Sequence, residues 1–214
     1  MKITKFNHSC LLVEMPAPQN RTILFDPGMM SEESLIVGNL EYLDDIVVTH
    51  AHADHFSLPL IKQLVAKFSN VSITAPSEVV AQLKQENIIA SSEPCEGISF
   101  FTSPHEDVEP LFPTPQQIGV HYLDLLTHPG DSHSFAETKI VLALPVTAPW
   151  GSAVKAVNLA LGLKPKYILP IHDWHWRDEA REQMYSAMTE LFAKHDINFI
   201  SLRTGEPVVI HNLA

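Results

Sequence analysis

Seven consecutive residues, Thr49-His50-Ala51-His52-Ala53-Asp54-His55, constrain this chain more than any other stretch. They carry three imidazoles and one carboxylate directly behind the apolar run Ile46-Val47-Val48. A short apolar run that gives way to polar residues reads as a buried strand ending in a loop. His50 and His52 alternate two apart, and Asp54 and His55 follow at the turn. The spacing suits two metal ions side by side, His50 and His52 on one, Asp54 and His55 on the other. The competing reading is a polar loop with incidental histidines, but four ligand-type side chains at fixed offsets behind a strand rarely coincide.

Charge narrows the partners. The 214 residues carry 14 Lys+Arg against 25 Asp+Glu, a formal net charge of −11, with no basic block. Such a surface is not built to neutralise many phosphates, so tight nucleic-acid binding is not expected. A small phosphorylated substrate stays open, because metal ions can supply positive charge. The hydrophobic fraction of 45% is enough for a sizeable core. Cys10 and Cys95 lack metal-like spacing, and a reduced, cytoplasmic protein is expected. The start of the chain has no apolar signal core, and no stretch reaches membrane-spanning length. A homo-oligomer is open.

Along the chain, residues 2–14 read as a hairpin and 22–25 as a strand ended by Asp26-Pro27-Gly28, an ordinary turn signal. Residues 29–44 read as a polar loop or short helix. Ser57 caps a helix with Pro59 in its first turn and Leu60, Ile61, Leu64, Val65 and Phe68 inward. A strand at 71–74 and a helix at 77–85 follow. Strands are expected at 98–101, 120–126, 140–144, 167–171, 197–202 and 207–211. Helices are expected from Ser152, with Val154, Val157 and Leu161 inward, and over 178–194, burying Ala180, Met184, Met188 and Leu191. Alternation of strands and helices implies α/β construction. The proline-bearing stretch 106–117 reads as a loop, a candidate flap whose Leu111 and Phe112 either touch a ligand or pack on the scaffold.

The run His50-x-His52-x-Asp54-His55 fills every position of a known signature, and the chain resembles the metallo-β-lactamase fold superfamily. His8-Ser9, preceded by Asn7 where relatives place Gly, is similar to its L-ascorbate-6-phosphate lactonase-like and N-acylphosphatidylethanolamine phospholipase-like branch. The resemblance implies a single domain over 1–214, a four-layer αβ/βα sandwich of two mixed β-sheets flanked by helices. It implies that His105, just past a strand end, joins His50 and His52. His172, also past a strand end, joins Asp54 and His55, and Asp131 in Gly130-Asp131-Ser132 bridges both ions. Asp26 would hold a ligand histidine.

The implied activity is that of a dinuclear metal-dependent hydrolase. A metal-bound hydroxide would cleave a small-molecule ester, lactone or phosphodiester, with Asp54 orienting the nucleophile and relaying its proton. The alternative is an RNA/DNA nuclease or phosphodiesterase of the same fold. Nitrogen and oxygen ligands suit zinc first, with manganese, iron or nickel as alternatives. Six further residues are candidates for substrate contact or proton donation. His8 lines the site or is a turn residue. His128 and His133 donate a proton to a leaving group or face solvent. Phe112, Trp150 and His175 complete the set, with Trp174 and Trp176 as an apolar wall or core.

Overall fold

The structure is a computed structural model that describes residues 1–211 and 213; Asn212 and Ala214 lie outside the described residues. Contacts cluster the chain into two compact units. The first holds Met1–Glu96, Pro115–Gln117 and the segment from Arg203 onward; the second holds Gly97–Thr114 and Ile118–Leu202.

The first unit is built on β1 (Lys2–Lys5), β2 (Leu11–Glu14), β3 (Thr22–Phe25), β4 (Asp45–Val47), β5 (Ser72–Thr74) and β12 (Pro207–Val209). Their order is β12-β1-β2-β3-β4-β5. Pairing is antiparallel from β12 to β3 and parallel from β3 to β5. The parallel step from β4 to β5 needs a crossover, supplied by α1 (Leu58–Lys67). Ser57 caps α1 by accepting from the Leu60 N–H, and Leu60, Ile61 and Leu64 are buried as the spacing expects. With Val79 and Leu83 of α2 (Ser77–Gln85) they pack on Leu24, Ile46 and Ile73. The 29–44 stretch holds two short 3-10 turns, Met29–Ser31 and Val37–Asn39.

The second unit is built on β6 (Ile98–Phe101), β7 (Gly119–Tyr122), β8 (Leu126–His128), β9 (Val141–Pro145), β10 (Tyr167–Ile171) and β11 (Asn198–Phe199), in the order β11-β10-β9-β8-β7-β6. Here β6, β7 and β8 are antiparallel and β8 to β11 parallel. The helices are α3 (Ala153–Leu163) and α4 (Asp178–Ala193). Two mixed sheets, each with two helices, agree with the expected fold class.

Local expectations fail in four places. The single strand expected over 120–126 is a hairpin: Leu123 and Asp124 turn at φ 50° and 53°. On α3 the fully buried positions are Ala156 and Ala160; Val157 and Leu161 pack half-buried against the core as expected, while Val154 is 70% exposed. Small side chains four apart let that helix pack closely. On α4 the buried face is Tyr185, Met188 and Phe192, with Ala180 exposed and Met184 and Leu191 half-buried. The last strand of this sheet spans two residues, not six.

Candidate metal centre

In the first unit β4 delivers Thr49 and His50, and the turn after β3 meets them. Asp26 sits at φ 45°, fully buried, and accepts from the Thr49 N–H at 2.7 Å and the Thr49 hydroxyl at 2.8 Å. The same carboxylate takes Nδ1–H of His55 at 2.7 Å. Thr49 has one hydroxyl proton, and it goes to Asp26. The Thr49 oxygen, 3.1 Å from His50 Nδ1, therefore accepts from that ring. Both rings are thereby fixed as Nδ1–H tautomers, which leaves Nε2 of His50 and of His55 as the atom able to ligate.

The backbone here is tightly clasped. Met29 donates to the Ala53 carbonyl at 2.7 Å and Ser57 to the Pro27 carbonyl at 3.0 Å. A Cβ at Gly28 would stand 1.9 Å from the Asp54 carbonyl oxygen, so only glycine fits under this loop. The ring centroids of His50 lie 5.0 Å from His52 and 4.1 Å from His55. His8, buried and at φ 49°, donates from Nε2 to Asp54 Oδ2 at 3.0 Å. Donor atoms of His8, Asp54 and His55 lie within 4.8 Å of one another.

In the second unit three strand ends supply the donors. His105 follows β6, and its Nδ1 donates to the Glu106 carbonyl at 2.6 Å. His172 follows β10 at φ 60°, and its Nδ1 donates to the Thr147 carbonyl at 2.6 Å. Asp131 follows β8, behind Gly130 at φ 64°, and is buried. Its Oδ2 lies 2.9 Å from His172 Nε2 and 3.9 Å from His105 Nε2. Ligands on one tetrahedral zinc stand about 3.3 Å apart, between these two separations. The Glu106 N–H donates to the Asp131 carbonyl at 2.9 Å, and the Ser103 hydroxyl to the Pro129 carbonyl at 2.7 Å. These bonds tie the His105 loop to the Asp131 turn.

The remaining candidates divide. His128 is fully buried on β8, its Nδ1 accepting from the Gly130 N–H at 3.3 Å. His133 is half-buried and donates from Nε2 to the Pro145 carbonyl at 2.8 Å. His128 does not face solvent, whereas His133 keeps a partly exposed ring. Burial holds the His133 imidazole below its usual pKa, against the opposing pull of the Pro145 carbonyl and Glu106. Trp150 is half-buried and donates from Nε1 to Asp131 Oδ2 at 3.2 Å. His175 is exposed, its ring 6.0 Å from that of His172. Phe112 is 56% exposed, in a loop that forms no helix or strand element. Trp174 is exposed, whereas Trp176 packs against the core beneath α4. Cys10 and Cys95 are both free, and burial pushes the Cys10 thiol well up.

Sequence reasoning missed the buried network that begins at the residue after His172. Asp173 is buried, accepts from the Tyr185 hydroxyl at 2.5 Å and pairs with Arg181 Nε at 3.0 Å. Arg181 also donates to the carbonyls of Asp173 and Trp176. An acidic residue next to a candidate ligand was the available signal. The Glu106 and Thr147 carbonyls leave no signal, because every residue has one.

The donor set fits divalent metal ions: imidazoles with Nδ1 anchored, and carboxylates, with no thiolate among them. Residues 2–172 match the family described as the beta-lactamase superfamily domain, and the chain belongs to that family. It is 29% identical over 202 residues to Protein Rv0786c of Mycobacterium tuberculosis, covering 89% of this chain and 92% of that one. It is 26% identical over 201 residues to the UPF0173 metal-dependent hydrolase NEQ378 of Nanoarchaeum equitans, covering 82% of this chain and 85% of its relative. Among solved structures it is similar to Igni18, a metallo hydrolase of Ignicoccus hospitalis. The TM-score is 0.71 at 18% identity, over 99% of this chain and 98% of that one, a likeness that shows the fold. Family, relatives and donor clusters together support a metal-dependent hydrolase.

Proposed function

We propose that this chain is a single-domain, dinuclear metal-dependent hydrolase of a small molecule. His50, His52 and His105 would hold one ion and Asp54, His55 and His172 the other, with Asp131 between. The observation that carries this reading is the anchoring of four candidate ligand rings by Nδ1: His50, His55, His105 and His172. Four rings all steered to present Nε2 are what a nitrogen-ligated cation needs. When bound, divalent ions supply the charge that ionises a water near neutral pH and polarises a substrate oxygen; zinc is the first choice.

The chain's own groups do the rest. Asp54, with its side chain 26% exposed and held by His8, orients the attacking water and accepts its proton. His8 fixes the plane of that carboxylate. Asp26 sets the tautomer of His55. The 106–117 loop leaves from His105 and exposes Leu111 and Phe112, which suits a flap over an ester, lactone or phosphodiester. His8-Ser9 favours the lactonase-like and phospholipase-like branch. Two free cysteines suit a reducing compartment, the cytoplasm.

The test is hydrolysis of lactone, p-nitrophenyl ester and bis-p-nitrophenyl phosphate panels, with and without chelator. Turnover of at least one class, abolished by chelator and restored by zinc or manganese, is expected. Turnover that chelation leaves intact would remove the reading.

A further inference from the structure

The loop between β9 and α3, residues 146–152, contributes no candidate ligand. Yet this loop, with the last residue of β9, touches three ionisable groups of the second unit. The Pro145 carbonyl accepts from His133, the Thr147 carbonyl accepts from His172, and the Trp150 indole donates to Asp131. We propose that Trp150 is a positioning residue for metal binding, its N–H holding the Asp131 carboxylate in the orientation from which it ligates. The inference rests on the metal-centre reading above.

Trp150 is held for this role from several sides. The Gly151 N–H donates to the Ala148 carbonyl at 3.2 Å, closing a tight turn around Trp150. Its ring meets His133 edge-on at 5.0 Å and His172 edge-on at 5.5 Å. A Cβ at Gly151 would lie 3.0 Å from His133 Cε1, so glycine lets the imidazole press against the turn. His133 is in turn tethered to Pro145, the last residue of β9. The indole is therefore wedged between two rings, each tied to a backbone carbonyl at 145 or 147.

The chemistry of the donor matters. An indole N–H only donates: it cannot ligate a cation and does not titrate with the site. It occupies one lone-pair direction of Asp131 Oδ2 whether or not an ion is bound. That fixes the carboxylate plane and leaves the other lone pairs directed elsewhere. Asp131 is only 2% exposed, so bulk water is poorly placed to replace a deleted N–H. Partners that orient a ligand in this way contribute about 10–100-fold to metal affinity.

The test combines zinc affinity, by competition with a chromophoric chelator, with nitrogen-15 spectra of the three indole N–H groups, assigned by Trp→Phe variants. The Trp150 resonance should move on zinc addition. Trp150→Phe, which keeps an aromatic ring but deletes the donor, should bind zinc about 10–100-fold more weakly, and Trp174→Phe should bind like wild type. A Trp150 resonance unmoved by zinc that wild type does bind would overturn the inference, and so would unchanged affinity in Trp150→Phe. If Trp150→Phe does not fold, the wild-type spectra alone decide. A wild-type chain that binds no zinc would bring down the metal-centre reading and this inference with it.

Discussion

In the first unit the donors stand in one run, His50 to His55, and side chains steer the rings: Asp26 takes Nδ1 of His55, Thr49 that of His50. In the second unit the donors leave three separate strand ends, and backbone carbonyls of Glu106 and Thr147 steer His105 and His172. Side-chain steering leaves a mark in the sequence and can be mutated away. Carbonyl steering leaves no mark and survives substitution of the residue that provides it. The two units therefore offer the same kind of nitrogen donor with opposite mutational sensitivity.

Asp131→Ala should do most damage, since it is the one carboxylate donor the second unit contributes. Hydrolysis should fall on the order of 10³-fold, the scale of losing one strong electrostatic contributor, as measured by kcat/KM on whichever panel substrate turns over. Next comes the direct contrast between the units. Asp26→Asn should weaken zinc binding about 10–100-fold, whereas Thr147→Ala, which keeps its carbonyl, should stay within about twofold of wild type. Equal losses in the two variants would break the comparison.

A smaller effect is expected at Gly28, where the β3 turn presses on the metal loop. Gly28→Ala forces a Cβ against the Asp54 carbonyl and should cost about 1–3 kcal/mol of unfolding free energy in urea titration, the scale of overpacking. No such cost is expected for Gly162→Ala in α3, where nothing lies within 4 Å of the added carbon.

The smallest effect is a pH dependence belonging to the second unit. His121 on β7 is buried, stacked on Phe101 at 4.2 Å, with Nδ1 3.0 Å from the Thr127 hydroxyl. Burial lowers its pKa, outweighing the opposing pull of Glu137. A histidine with a lowered folded pKa is neutral in the fold while the unfolded chain takes up the proton. Its contribution is intact above the unfolded value, about 6.5, and is lost as pH falls through the folded one. Stability of the metal-free protein should therefore decline as pH falls from about 6.5 toward the lower folded value, and His121→Phe should decline less. Identical pH profiles would count against it.

The signature run was legible because its donors are contiguous and sit behind an apolar strand. Asp26, His105, Asp131 and His172 were legible only through resemblance, since a lone His or Asp past a strand has no local signature. Most strands and the α1 face followed from periodicity. The α3 face followed only in part: Val157 and Leu161 pack against the core as expected, but Ala156 and Ala160 are its fully buried positions and Val154 is exposed. The α4 face likewise followed in part: Met188 is buried and Met184 packs on the core as expected, but Tyr185 and Phe192 take the place given to Ala180. The turn at Leu123-Asp124 was hidden because Leu123 is not a usual left-handed former, and Asp124, which tolerates that region, stands alone between leucines. Asp173 with Tyr185 and Arg181 needed three dimensions, being 12 and 8 residues apart.

The proposed function turns on two bound ions and on Asp131 as a ligand. Native mass spectrometry of the zinc-reconstituted chain tests it most directly, comparing wild type with Asp131→Ala. Two zinc ions per wild-type chain are expected, with weakened retention of both when the carboxylate is removed. Two ions held as firmly without Asp131, or none in the wild type, would contradict it.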